Sequence, residues 1–150
     1  MPIDAIRRFF ASRISGPPEE DPRDRVTIAA CALLLEIAHA EAGLGPDERR
    51  RIENAVREMG VAEADLREVL RLAEEERKES VDLYQFTRLV AENFSRDERL
   101  RLLEAIWGVV YSDGALSAVE GQLARRVAEL LGFQHPEVQS VREKVAREKA

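Results

Sequence analysis

The sequence predicts an all-α protein, built as two pseudo-symmetric three-helix repeats packed into one helical domain of about eight helices. Three observations carry this prediction. Apolar residues recur at spacings of three and four throughout, and no stretch alternates apolar and polar residues for long enough to make a strand. Glycine and proline are scarce between residues 24 and 131, so little interrupts a helix there. Finally, the pattern of one helix triplet returns in a second at a constant offset. Glu41 maps to Asp113, Leu44 to Leu116, Glu48 to Glu120, Gly60 to Gly132 and Leu66 to Val138, each pair 72 residues apart with no gap. A three-helix unit is too small to bury both faces of its central helix, so two copies complete one core around an approximate two-fold axis.

The elements follow in order. Residues 3–13 carry Ile3, Ile6, Phe9 and Phe10 on one side and Arg7, Arg8 and Arg13 on the other, which predicts a short amphipathic helix that Ser15-Gly16-Pro17-Pro18 stops. Residues 1–23, this helix and its Pro-rich linker, stand outside the repeat; the helical domain spans 24–150, with its copies at about 29–70 and 101–142. The helix expected over 25–42 has only Glu36 and His39 as strongly polar members between positions 28 and 40, so it is central and buried. Pro46 opens the next helix from the first helical position, where its missing N–H costs nothing, and Gly60 closes it. The fourth runs over 62–78 and ends in a run of charges over 74–79, expected to be a solvated face. Asp82 with Gln85, and Ser95 with Glu98, have capping-box spacing and start helices over 83–93 and from 97 to 112. The stretch 106–111 is as apolar as the first central helix, so this second long helix should cross it with Leu34, Ile37, Ile106, Trp107 and Val110 buried. Ser117 begins the seventh helix, Gly132 ends it, and His135 caps an eighth that starts at Pro136.

Composition excludes several classes. At 150 residues the chain can bury roughly 68–70% of its unfolded surface, so folding requires no metal or disulfide. The single cysteine, Cys31, rules out an internal disulfide, a CxxC redox pair and a cysteine-based zinc site. The longest apolar run, over 28–35, is far short of the roughly 20 residues a membrane span needs. The N-terminus lacks a basic region followed by an apolar run, so no signal peptide is expected and the cytoplasm is the expected compartment. With 23 basic and 29 acidic residues the net charge is −6, and no Lys/Arg-rich stripe offers a grip on nucleic acid.

The corner joining the first two helices of each repeat places one carboxylate seven residues before another. In the second copy these are Asp113, at the helix exit, and Glu120, in the first turn of the next helix; in the first they are Glu41 and Glu48. The chain reverses between them. A reversal can bring both side chains onto one small volume, where hard cations such as Ca2+ take oxygen ligands and carbonyls freed at a helix C-terminus add more. The same residues also suit plain capping: Ser117 and Glu120 form a capping box, Gly114 stops a helix, and Asp113 satisfies a turn. Both readings stand at this point. An EF-hand loop is excluded, since its acids at alternate positions are missing.

Through these residues the chain resembles the TerB-like tellurite-resistance proteins, whose mark is an Asp-Gly-x-x-x-x-x-Glu motif at an interhelical turn, present in two copies. The match covers roughly residues 29–142. It is most similar to the stand-alone bacterial branch, through Val81-Asp82-Leu83-Tyr84-Gln85-Phe86-Thr87, Glu104-Ala105-Ile106-Trp107 and Tyr111-Ser112-Asp113-Gly114. The resemblance implies an all-helical fold, acidic sites that bind calcium or another divalent cation in some members, and a role in stress response at the inner face of the bacterial membrane. It does not imply catalysis. Carried over residue by residue, the motif acids are Asp113 and Glu120; in the first copy Glu41 replaces the aspartate and Ala42 the glycine.

Other chemistry weighs less. Glu36 and His39 have the Glu-x-x-His spacing of di-iron bundles, but the symmetric positions are Gly108 and Tyr111, so the partner motif is missing. Glu36, set among alanines and leucines, should pair with an arginine or a backbone group. Cys31 reads as core rather than nucleophile, no triad or Gly-rich phosphate loop suggests itself, and no enzyme is expected. Two functions remain: a cation-binding accessory module, or a structural helical domain that binds a protein partner. The first predicted helix is expected to cover an apolar groove of this protein or of a partner, with an anionic membrane surface as the other candidate.

Overall fold

The computed structural model describes residues 23–40, 45–80, 82–112 and 118–149. Among them the architecture is all-helical: α1 (Arg23–Ala38), α2 (Pro46–Glu58), α3 (Glu63–Glu79), α4 (Tyr84–Asn93), α5 (Arg96–Val110), α6 (Ala118–Leu130) and α7 (His135–Lys149). The predicted helix at 3–13 and its linker lie outside the described residues.

The central helices α1 and α5 pack against each other, and Leu34, Ile37, Ile106, Trp107 and Val110 are all fully buried, as their apolar setting predicts. Burying a leucine or isoleucine completely stabilises a fold by roughly 1.5–3 kcal/mol, so each of the enclosed side chains at this crossing contributes on that scale. In the first half α3 lies on α1 and α2 joins them; in the second, α7 lies on α5 and α6 joins them. The halves interlock, because α2 also packs on α5 and α6 on α1. Inserted between the repeats, α4 lies across α1 and α6.

The repeat is visible bond by bond. The joining helices α2 and α6 begin 72 residues apart (46 and 118) and end 72 apart (58 and 130). Each stops at a glycine with positive φ, Gly60 at +97° and Gly132 at +94°. The bonds Met59 N to Ala55 O, Gly60 N to Arg57 O and Val61 N to Val56 O recur as Leu131 N to Val127 O, Gly132 N to Glu129 O and Phe133 N to Ala128 O. Such a turn satisfies carbonyls that the last helical turn leaves open, and only glycine takes its backbone angles without strain.

Four details depart from the sequence reading. The first central helix ends at Ala38 rather than 42, because Ala40 N bonds to Ile37 O and tightens the last turn. The Asp82–Gln85 capping box does not form: Asp82 Oδ1 accepts from Tyr84 N at 2.8 Å, and Gln85 Nε2 donates instead to Ser80 Oγ. His135 is the first residue of α7 rather than its cap, and Gln134 N donates to Glu137 Oε1 at 2.9 Å. The charge run on α3 is partly a packing surface, described below. The Ser95–Glu98 box forms with both of its bonds, at 2.8 and 3.2 Å.

Candidate functional site

Both corners begin alike. At the exit of α1, His39 N donates to Leu35 O and Ala40 N to Ile37 O; at the exit of α5, Tyr111 N donates to Trp107 O and Ser112 N to Val109 O. The two pairs of bonds are again 72 residues apart. At the second exit the buried Ser112 hydroxyl also donates to Val109 O at 2.8 Å, satisfying a carbonyl that the helix end frees.

Of the four predicted ligands, the structure describes the side chain of Glu48. It stands in the first turn of α2, 8% exposed, and its Oε1 accepts the Gly45 N–H at 3.1 Å. An acidic side chain there satisfies an open N–H and faces the positive end of the helix dipole. Glu41 and Asp113 lie outside the described residues, as do Ser117 and Gly114. Glu120 falls in the first turn of α6, with its side chain undescribed. The pairing of Glu41 with Glu48 and of Asp113 with Glu120 is therefore not on view. Among the described residues, no group of three or more His, Cys, Asp or Glu side chains converges.

The surroundings of the two exits differ in charge. Beside Ser112, a polar recess of about 190 Å³ is lined by Asp47, Arg50, Arg51 and Asn54 of α2. The Arg51 guanidinium lies against Gly108, where an added Cβ would sit 3.4 Å from its Nη1. Arg142 of α7 stacks 5.2 Å above the Trp107 ring and donates from Nε to the Tyr111 hydroxyl at 2.9 Å. Arginines thus gather at the C-terminal end of α5, where the helix dipole is negative. The α1 exit carries a different set. His39 Nε2 lies 3.1 Å from Glu74 Oε2, Glu74 also pairs with Arg77, and Arg77 Nη1 donates to Glu36 Oε2 at 3.2 Å. Burial opposes the charge on Arg77, but the Glu74 and Glu36 carboxylates outweigh it and hold its pKa above the usual value.

This network answers the question of Glu36: its partner is an arginine. It also corrects the reading of 74–79 as a solvated face, since Glu74 and Arg77 tie α3 to α1. A signal for this was present, because the buried positions Leu66, Val69 and Ala73 continue at the same spacing to Glu76 and Arg77. Burial, with Glu79 nearby, pushes the Glu76 carboxyl up. Cys31 is wholly enclosed in α1, and burial, aided by Glu74, drives its thiol pKa far above the ordinary range, which suits a core residue and not a nucleophile.

A fold of two interlocked helical repeats, whose joining corners carry a carboxylate in the first turn after the bend, defines a class of small all-α domains rather than one chemistry. The family model described as "Tellurite resistance protein TerB" matches residues 27–143, and the chain belongs to that family. Comparison with curated proteins and with solved structures gave no match.

Proposed function

We propose that the protein is a non-catalytic accessory module of a bacterial stress response of the tellurite-resistance type, which weakly holds Ca2+ or another divalent cation at its interhelical carboxylates. The observation that carries this reading is Glu48: a buried carboxylate fixed at a corner by one oxygen, at the position the repeat matches to Glu120. Asp113 and Glu120 would be the ligands of the second corner, and Glu41 and Glu48 those of the first. Few protein ligands and much water put such a site in the range of about 10⁻⁴–10⁻³ M. A protein partner at the cytoplasmic face of the inner membrane suits the module; no described helix is long and apolar enough to cross a membrane.

Two influences compete over which corner is stronger. Asp113-Gly114 offers a short carboxylate and a residue free to take positive φ, whereas Glu41-Ala42 has a longer arm and a Cβ at the turn. Against this, the Arg51 guanidinium beside Ser112 repels a cation at the second exit, while the charge of Arg50 is offset by its ion pair with Asp47. Ligand geometry acts at direct contact, and the arginine acts through solvent, so the second corner is expected to bind more tightly.

The second reading is a structural helical domain that binds a protein partner and no metal. The hydrogen bond of Glu48 to Gly45 favours it, since the acid already has a structural task. Calorimetric titration with calcium separates the two. Heat from the wild type that disappears in Asp113→Asn supports the cation site as assigned. Heat that survives that change and disappears in Glu41→Gln moves the site to the first corner, and no heat from the wild type leaves the structural reading.

A further inference from the structure

The repeat predicts a groove for each joining helix, and only one of the two has an occupant among the described residues. On the first side, α4 lies across α1 and α6. Its pseudo-symmetric mate is the groove between α5 and α2, which forms an open cavity of about 140 Å³ lined by Ala55, Glu58, Met59, Glu98, Leu102 and Ala105, among others. The 72-residue offset relates the two directly. Glu98, Arg101, Leu102 and Ala105 of α5 correspond to Val26, Ala29, Ala30 and Leu33 of α1, which are all buried. Ala55 and Met59 correspond to Val127 and Leu131, also buried. In the open groove Leu102 and Ala55 form a buried apolar floor, Met59 and Ala105 are half-exposed, and Glu58 stands exposed beside it.

Chain order says what belongs there. The helix α4 immediately precedes the central helix of the second copy, ending at Asn93 where α5 begins at Arg96. Its counterpart must precede α1; the 72-residue offset itself falls on 12–21, across the Gly16-Pro17-Pro18 linker, and the amphipathic segment that chain order offers lies just before it, at 3–13. We propose that this segment docks as a helix in the α2–α5 groove, with Ile6, Phe9 and Phe10 on the floor and its arginines toward Glu58 and Glu98, making the repeat a four-helix unit. The connection from 14 to 22 spans up to about 30 Å when extended, ample for a helix seated beside the start of α1. Charge agrees as well: Arg7, Arg8 and Arg13 meet a groove with two glutamates and one arginine, Arg101. A helix laid apolar face down in a groove is a standard mode of recognition, and a covalent tether raises its effective concentration.

The test uses the full chain with a nitroxide on Arg8→Cys; Cys31 is enclosed and does not compete for the label. Amide signals of Ala55, Met59, Leu102 and Ala105 should broaden, and those along α7 should not. Phe10→Asp should restore the signals, and so should Ala105→Arg, at a half-exposed site that accommodates a charge without disturbing the core. Broadening that is absent, or that falls on another face, overturns the proposal. So does broadening seen only between labelled and isotope-enriched molecules in a mixed sample, which assigns the segment to a second copy. Co-sedimentation with phosphatidylserine vesicles, with an unbroadened groove in their absence, assigns it to a membrane.

Discussion

Gly60 and Gly132 close α2 and α6 with the same three backbone bonds, yet the helix faces beside them have little in common. In the first half the central helix is apolar except at its start and at Glu36, which pairs with Arg77, because α3, α4 and α5 pack around it; in the second, α5 shows Glu98, Arg101 and Glu104 along one flank. The turns recur because few sequences satisfy a positive-φ helix stop. The faces diverge because each needs only to suit what covers it. Backbone punctuation and side-chain burial are thus separate constraints, and a duplicated fold can keep the first while rewriting the second.

The comparison breaks most visibly at the shared core. Leu34→Ala and Ile106→Ala each remove a fully buried side chain at the crossing and should cost on the order of 3 kcal/mol, with a single denaturant transition by circular dichroism and by tryptophan emission. Two separate transitions would mean that the halves fold independently. Next come the helix stops. Gly60→Ala and Gly132→Ala should each cost about 1–2 kcal/mol from the positive φ. Gly132→Ala should cost more, because its new Cβ meets Arg99 Nη1 at 3.1 Å whereas nothing lies within 4 Å at Gly60. That same Nη1 donates to Leu131 O at 2.6 Å, so the second stop also loses a bond to its open carbonyl. Equal thermal midpoints for the two variants would show that Arg99 moves aside freely.

Caps rank below stops. Glu48→Ala removes a charge-assisted bond from a buried site and should cost about 1 kcal/mol, more than Glu98→Ala at the exposed Ser95 box, as read by urea denaturation. The smallest effects are on α3 and depend on pH. The two bonds from Arg57 hold the Glu63 carboxyl below its usual range, so the stability it adds is present above the ordinary carboxylate pKa and is lost as pH falls through its lowered value. Glu76, raised by burial, does the reverse: its charge weakens the fold near neutral pH, and stability returns as pH falls through the raised value. Glu63→Gln should therefore flatten the acid side of the stability profile, and Glu76→Gln should raise the neutral side. In the second half, position 135 is a histidine and position 129 a glutamate, so α7 has no equivalent of the Arg57–Glu63 pair.

Helix existence, the repeat and the buried crossing were legible because they rest on local signals: glycine at a stop, proline at a start, and a run with almost no polar residue. What escaped was tertiary. Glu74 and Arg77 read as solvent-facing because charge was weighed above their place on the buried stripe of α3. The open groove at Met59 and Ala105 has no signature of its own, since exposure there depends on which neighbour lies across it. For the candidate site the sequence placed Glu48 correctly in the first turn after the bend, where it caps. Whether it does more turns on its distance from Glu41, which a seven-residue spacing across a reversal leaves undetermined.

The stacking of Arg142 over Trp107 has a spectroscopic consequence. Trp107 is the sole tryptophan, it is fully enclosed, and its neighbour Tyr111 leads within one residue to Ser112 and the second corner. A cation fixed over an indole shifts the energy of its excited state, so emission from this chain reports the distance between one guanidinium and one ring. Anything that draws Arg142 toward a carboxylate at the corner, or pushes it away, changes the colour of the light.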